Sequence, residues 1–349
     1  MRGAVFLGDR KVELRSFPDP TPGPGEVVIQ MKASGMCGSD LKFYRSPPGE
    51  AQKALGLGGN AEPFIAGHEP CGVVVARGPG VSGREAPDGQ RVMDHHYAGC
   101  GTCPHCRVGW SQLCRAGITV YGVTAHGGHA DYLKVPVRTL VELPEQLSFA
   151  EGAAVACGTG TAFSALRRMK LCGGDTLAVF GQGPVGLSAT VLGAAMGARV
   201  IAVETNAERR KLAKEFGADV VVDPAKENLL EILKQQTRGN GVDFSLECSS
   251  APSARQAAVR CVKTWGTACF VGEGGEVTLD VSPDLLRRQV TLIGSWTFSA
   301  MGMLECARFI SDHKIKLEKI FSHRWKLEQA AEAYRSFDTQ TTGKGVFLL

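Results

Sequence analysis

No window of the 349-residue chain approaches eighteen uninterrupted apolar residues, so a membrane-spanning helix is not expected. Long runs of one charge are missing as well. The 39 basic and 35 acidic residues are interleaved, for a net charge of +4. Doublets such as Arg167-Arg168 and Arg209-Arg210 read as solvated helix faces. That scatter offers no groove for a nucleic acid. The opening "MRGAVFLGDRKVEL" is charged too soon and apolar too briefly for a secretory signal. With no export signal, the twelve cysteines are expected as thiols or metal ligands in a reducing, cytoplasmic setting rather than as disulfides. There is no internal repeat and no low-complexity tract. What is present is an ordinary globular composition, 44% hydrophobic and 21% charged, with 44 glycines that predict many tight turns. The length is too great for one compact core and implies two domains.

Up to about residue 145 the chain reads as β-rich. "EVVIQMKAS", "GVVVAR" and "YLKVP" are strand-like runs bounded by Gly and Pro, and "PDPTPGPGE" is a turn. The rhythm changes near Ser148, which with Glu151 forms a capping box that opens a helix. Strands and helices then alternate: "TLAVF", "PVGLSATVLGAAMG", "RVIAVE", "NAERRKLAKEFG", "DVVVD", "NLLEILKQQTRG", "DFSLECS", the helix "SARQAAVRCVKTWG", "TACFVGEGG" and "VTLIGSW". That alternation predicts a parallel sheet covered on both faces. The last fifty residues return to mixed structure and end in "GKGVFLL".

"FGQGPVG" follows the first of those strands and opens a helix, so Gly181, Gly183 and Gly186 form G-x-G-x-x-G. The loop suits a pyrophosphate at a helix N-terminus, with Pro184, Val185 and their neighbours supplying backbone N–H groups. Glu204 ends the second strand, eighteen residues past Gly186. Its carboxylate suits a ribose diol and repels a 2′-phosphate. Thr205, Asn206 and Ala207 follow it with no basic residue, which points to NAD over NADP.

"CGTCPHCRVGWSQLC" carries Cys100, Cys103, Cys106 and Cys114 as C-x₂-C-x₂-C-x₇-C. Four thiolates complete a tetrahedral zinc and leave no position for substrate, so this metal pins a loop. His105 lies inside the cluster and is read as pointing away. Elsewhere Cys37 in "CGSD", His68 in "GHEP" and Cys157 in "ACGTG" each sit beside a glycine. Singly, each is as readily a buried core residue.

Taken in order, "CGSD", "GHE", the four-cysteine cluster, Cys157 and the glycine loop resemble the zinc-dependent medium-chain alcohol dehydrogenase superfamily over essentially the whole chain. The resemblance implies an α/β fold, a doubly wound Rossmann domain (151–294) inserted into a β-rich, GroES-like catalytic domain (1–150) that the C-terminal segment (295–349) completes. It implies two zinc ions per chain. Cys37, His68 and Cys157 would hold the catalytic one, a three-ligand set with an open position. Glu69 would approach the metal during ligand exchange, and Asp40 would fix the tautomer of His68. The implied reaction is hydride transfer between an alcohol and NAD, with Ser39 taking the proton. Cofactor contacts would fall on Gly181, Gly183, Pro184, Val185, Gly186, Glu204 and Arg209. Lys42 stands where many relatives place the histidine that ends the proton relay.

Phe43, Tyr44, Trp296 and Phe298 are expected to line an apolar substrate pocket. Phe43 and Thr297-Phe298 replace polar groups that polyol enzymes offer, and Cys157 stands where they often carry glutamate. A simple secondary alcohol is therefore expected before a sugar alcohol or amino alcohol. The long segment "RSPPGEAQKALGLGGNAEPF" between Cys37 and His68 would cover the cleft or a subunit contact. The family's assembly as homodimer or homotetramer would use the strand near "VTLIGSW". Two competing classes are a zinc-free quinone or enoyl reductase and a non-catalytic zinc-binding interaction protein.

Overall fold

Val27, Ile29, Met31, Val74, Val92, Leu133 and Val135 are buried together in one cluster, the inward positions of alternating strands. A computed structural model of the chain describes residues 1–54, 56, 63–339 and 343–349. It falls into two compact units. One comprises Met1–Gly160, Phe298–Gln340 and Lys344–Leu349; the other comprises Thr161–Thr297 with Thr341–Gly343.

The first unit is built on a seven-stranded sheet. Its order is Phe321–Trp325, Lys344–Leu348, Glu26–Gly35, Pro70–Arg77, Arg91–Asp94 and Leu140–Glu142, and Tyr132–Pro136 also pairs with Glu26–Gly35. The terminal strand runs antiparallel to Glu26–Gly35, with Val346 opposite Gly35. This register carries Lys344 to the carbonyl of Met36, 308 positions away in the chain. The helix Phe149–Ala154 packs on the strands Glu26–Gly35 and Pro70–Arg77. Its capping box is formed: the Glu151 N–H donates to Ser148 Oγ at 3.2 Å and the Ser148 N–H to Glu151 Oε2 at 2.9 Å.

Six parallel strands make the second unit, in the order Val220–Val222, Arg199–Val203, Thr176–Phe180, Val242–Glu247, Val262–Phe270 and Thr291–Gly294. Chain order reverses direction at Thr176–Phe180, and the crevice at such a reversal is where open α/β sheets bind ligands. The glycine loop begins where that strand ends.

Two readings of the sequence need correction. The helix expected to run to Gly266 stops at Cys261, and Val262–Phe270 is a strand. Lys263, Thr264 and Trp265 lie exposed at its start, so no amphipathic pattern marks the switch. The boundary expected at 150/151 lies at Gly160/Thr161, because the capped helix packs with the first sheet; the return lies at Phe298, not 295. Most of "ALGLGG", the apolar part of the long segment after Cys37, lies outside the described residues.

Candidate metal centre and nucleotide loop

The turn after Glu26–Gly35 presents Cys37, and a short helix, Asp40–Arg45, follows at once with Ser39 at its N-cap. His68 and Glu69 precede the strand Pro70–Arg77. Cys157 lies in a single π-helical stretch, Val155–Thr159, that interrupts the capped helix; such bulges turn side chains out of the α register and cluster at functional sites. These elements bring donor atoms of Cys37, His68, Glu69 and Cys157 within 4.8 Å of one another.

The donor set fits a zinc ion. Tetrahedral zinc with sulfur at about 2.3 Å places two thiolates about 3.8 Å apart, and Cys37 Sγ and Cys157 Sγ are 3.9 Å apart. Their shared hydrogen bond pulls the Cys37 thiol well below its ordinary pKa and pushes Cys157 well above. Burial opposes charge on His68, but the charge and hydrogen bond of Asp40 outweigh it and hold the imidazole well above its usual range. Asp40 Oδ1 lies 2.8 Å from His68 Nδ1, both side chains almost wholly buried, which leaves Nε2 as the metal-facing atom. Ser39 Oγ is 3.2 Å from His68 Nε2 and donates to Cys37 Sγ at 3.2 Å.

Glu69 is fully buried, and burial pushes its carboxyl up to about 7 against the pull of Lys344. The Lys344 ammonium lies 2.5 Å from Glu69 Oε2 and also donates to Oε1 at 2.6 Å and to the Met36 carbonyl at 3.0 Å. The sequence reading gave Lys344 no role. Its one signal was a lone lysine opening an otherwise apolar terminal strand. His95 and His96 were also passed over, although the doublet stands just ahead of the cysteine cluster. His96 is buried, 5.1 Å ring to ring from His68, and Nδ1 donates to the Ala156 carbonyl at 3.2 Å.

The four-cysteine lobe is shallow and local. Cys100 and Cys106 sulfurs are 4.0 Å apart, as are those of Cys103 and Cys114, again near the separation across a zinc tetrahedron. Backbone N–H groups of Thr102 and Cys103 point at Cys100 Sγ, and that of Cys100 points at Cys114 Sγ. The Thr102 hydroxyl, with those amides, lowers the Cys100 thiol to about 5. His105 is not among the grouped donors.

The expected apolar pocket is not what the aromatics build. Positions 40, 43 and 44 share one helix face, so the turn that delivers Asp40 to His68 buries Phe43 and Tyr44 in a core with Phe6, Tyr334 and Phe347. Phe298 is fully buried, its ring 5.7 Å from His95 and its carbonyl taking hydrogen bonds from His95 and Gln112. Trp296 is 42% exposed and belongs to the second unit. Lys42 is half-buried, off the Asp40 face.

In the second unit Gly181 has φ +83°, and a Cβ on Gly186 would lie 1.8 Å from the Gly181 carbonyl oxygen, so the turn closes only with glycine. A Cβ on Gly183 would meet nothing within 4 Å, which leaves that backbone open to a ligand. Pro184 and Val185 begin the helix Pro184–Ala195. Glu204 accepts the Gln182 N–H at one oxygen, 2.7 Å, and the Asn206 N–H at the other, 2.9 Å. The Thr205 hydroxyl also donates to the second oxygen at 3.3 Å, so the oxygen facing Gln182 keeps the spare lone pair. Arg209 is half-buried close enough to feel the charge of Glu204.

Comparison with known proteins agrees with this geometry. The alcohol dehydrogenase GroES-like domain matches residues 23–145 and the zinc-binding dehydrogenase family residues 184–312. The chain is 39% identical to the zinc-type alcohol dehydrogenase-like protein YphC of Escherichia coli (strain K12), over 99% of this chain and 98% of that protein. It is 33% identical to the L-threonine 3-dehydrogenase of Pyrococcus horikoshii, covering 97% and 95% respectively. Alcohol dehydrogenase TADH from Thermus sp. ATN1 superimposes with a TM-score of 0.89 at 26% identity, over 100% of this chain and 99% of that one. On the donor geometry and these matches, the chain belongs to the zinc-dependent medium-chain alcohol dehydrogenase superfamily.

Proposed function

We propose that the protein is a zinc- and NAD-dependent dehydrogenase that interconverts a secondary alcohol and its ketone. The observation that carries this reading is the three-donor set of Cys37, His68 and Cys157 with the Ser39 hydroxyl 3.2 Å from His68 Nε2. When bound, zinc supplies Lewis acidity that favours loss of the alcohol proton, and NAD accepts hydride. The chain's own residues do the rest. Ser39 Oγ is placed to take the proton and pass it outward. Asp40 holds His68 in the Nδ1–H tautomer. Lys344 stabilises Glu69 as a carboxylate beside the donors. Glu204, held at the end of its strand by the Gln182 and Asn206 N–H groups, is suited to a ribose diol, with the Thr205 hydroxyl free to swing away from the second oxygen when the diol arrives. Arg210 is taken up by the Glu204 and Thr205 carbonyls and by Asp223, and so is spoken for before any 2′-phosphate arrives. The four-cysteine lobe holds a second, structural zinc. A reducing, cytoplasmic location and the family's assembly as a homodimer or homotetramer are proposed with this reading.

A second reading of the substrate is favoured by His96. With Nδ1 donating to Ala156, Nε2 carries a lone pair and has no hydrogen-bond partner among the described residues. A hydroxyl or ammonium next to the reacting carbon would supply the donor, as in the amino alcohol that the P. horikoshii relative is named for. This weighs against the wholly apolar pocket expected from Phe43 and Tyr44. NADH formation with paired substrates, butan-2-ol against butane-2,3-diol and L-threonine, separates the two readings. Higher kcat/KM for the substituted alcohols supports the second, and no NAD-linked turnover of any alcohol would sink both.

A further inference from the structure

Asp40 does more than face His68. Its Oδ2 accepts the Cys37 N–H at 2.8 Å and the Tyr334 hydroxyl at 3.3 Å. Tyr334 comes from the helix Ala330–Asp338, near the other end of the chain. Its hydroxyl oxygen also lies 2.7 Å from His129 Nε2, and His129 Nδ1 lies 2.7 Å from Ser34 Oγ. Ser34, Asp40, His129 and Tyr334 are all fully buried.

The direction of every bond in this series is determined. Asp40 only accepts, so the Tyr334 proton points at Asp40 and the Tyr334 oxygen must accept from His129 Nε2–H. In a neutral imidazole the other nitrogen then accepts, so the Ser34 hydroxyl donates to Nδ1. Burial keeps His129 neutral, pushing it down to about 4. The result is a one-way series, Ser34 to His129 to Tyr334 to Asp40, ending on the carboxylate that holds His68. Phenylalanine at 334 would fill the same core without a hydroxyl to satisfy, and buried polar groups are costly unless every partner is in place. The backbone beside His68 is shaped around the series: a Cβ on Gly67, itself at φ +93°, would lie 2.3 Å from His129 Nδ1.

We propose that Ser34, His129 and Tyr334 are positioning residues for the metal centre, orienting Asp40 so that His68 presents the Nε2 lone pair to the cation. The proposal rests on the zinc reading above. Outer partners of metal-ligating histidines typically change metal affinity about 10- to 100-fold. The test uses the full-length holoprotein and its Tyr334→Phe variant. Zinc release to a chelator is followed, together with the visible spectrum after cobalt substitution. Tyr334→Phe is expected to release one zinc about ten times faster or more and to shift the cobalt bands, while the second zinc leaves at the wild-type rate. Ser34→Ala should act in the same direction more weakly, and it carries the test if Tyr334→Phe does not fold. Wild-type release of both metals with an unchanged cobalt spectrum would overturn the proposal and leave the zinc reading standing. A wild-type protein that binds metal only at the four-cysteine lobe would overturn both.

Discussion

The two cysteine clusters of the first unit differ in almost every physical respect. Cys100, Cys103, Cys106 and Cys114 span fifteen residues, lie at or near the surface, and are ordered by their own backbone amides. Cys37, His68 and Cys157 come from three distant segments, lie buried or nearly so, and depend on a strand turn, a π-helical stretch and a C-terminal strand to meet. A local cluster folds with its metal and can do little else. A dispersed one is held by the whole unit, which leaves a coordination position free for chemistry. In the function proposed above, the first cluster is the staple and the second the catalytic set.

The contrast can be broken most sharply at Cys157. Cys157→Ala removes one of three donors, so NAD-linked activity should be lost while the fold and one zinc persist. Steady-state kinetics with circular dichroism checks this, and full activity would exclude Cys157 as a ligand. Lys344→Met tests the support beneath the dispersed set. It strands the buried Glu69 carboxylate, and removing one partner of a buried pair costs about 3–5 kcal/mol. Chemical denaturation should show that loss, and adding Glu69→Gln should recover much of it. Equal stability of Lys344→Met and wild type would mean that Glu69 is not charged in the folded protein.

Cys103→Ser addresses the local cluster and should matter less to chemistry. Zinc content is expected to fall by one and the melting temperature by several degrees, since binding energy at a closed site is folding energy. Turnover well below the melt should change less than for Cys157→Ala; the reverse ranking would contradict the division of roles.

Asp94, which ends the strand leading toward the cysteine lobe, is expected to affect stability alone, and only as pH changes. Burial pushes its carboxyl up to about 7, whereas an unfolded aspartate titrates near about 4. The folded state therefore binds the extra proton between those values, and stability falls as pH rises through that window, then levels. Asp94→Asn escapes this loss. Its advantage in melting temperature over wild type should grow from pH 4.5 to pH 8, and a gap independent of pH would show that Asp94 does not titrate there.

Much of this was legible in the sequence because it is local. The capping box at Ser148, the glycine loop at 181–186, the spacing of the four cysteines and the alternating strands are all written within short windows. Long-range burial is not. Phe43 and Tyr44 read as pocket residues, yet they share a helix face with Asp40 and fall into the core. Lys344 gave no hint that its partner stands 275 positions away. The series from Ser34 to Asp40 joins four segments through groups that are individually ordinary. Val262–Gly266 continued a helical pattern by composition, yet the helix stops at Cys261, and of that stretch only Val262 pairs with the neighbouring strand, opposite Val242.

The central claim is that the dispersed set, not the cysteine lobe, carries the chemistry. Zinc content measured per chain on wild type and on Cys157→Ala, alongside NAD-linked activity, tests it most directly. The account predicts two zinc ions in the active wild type and one in an inactive Cys157→Ala variant. Two zinc ions with full activity in that variant would contradict it.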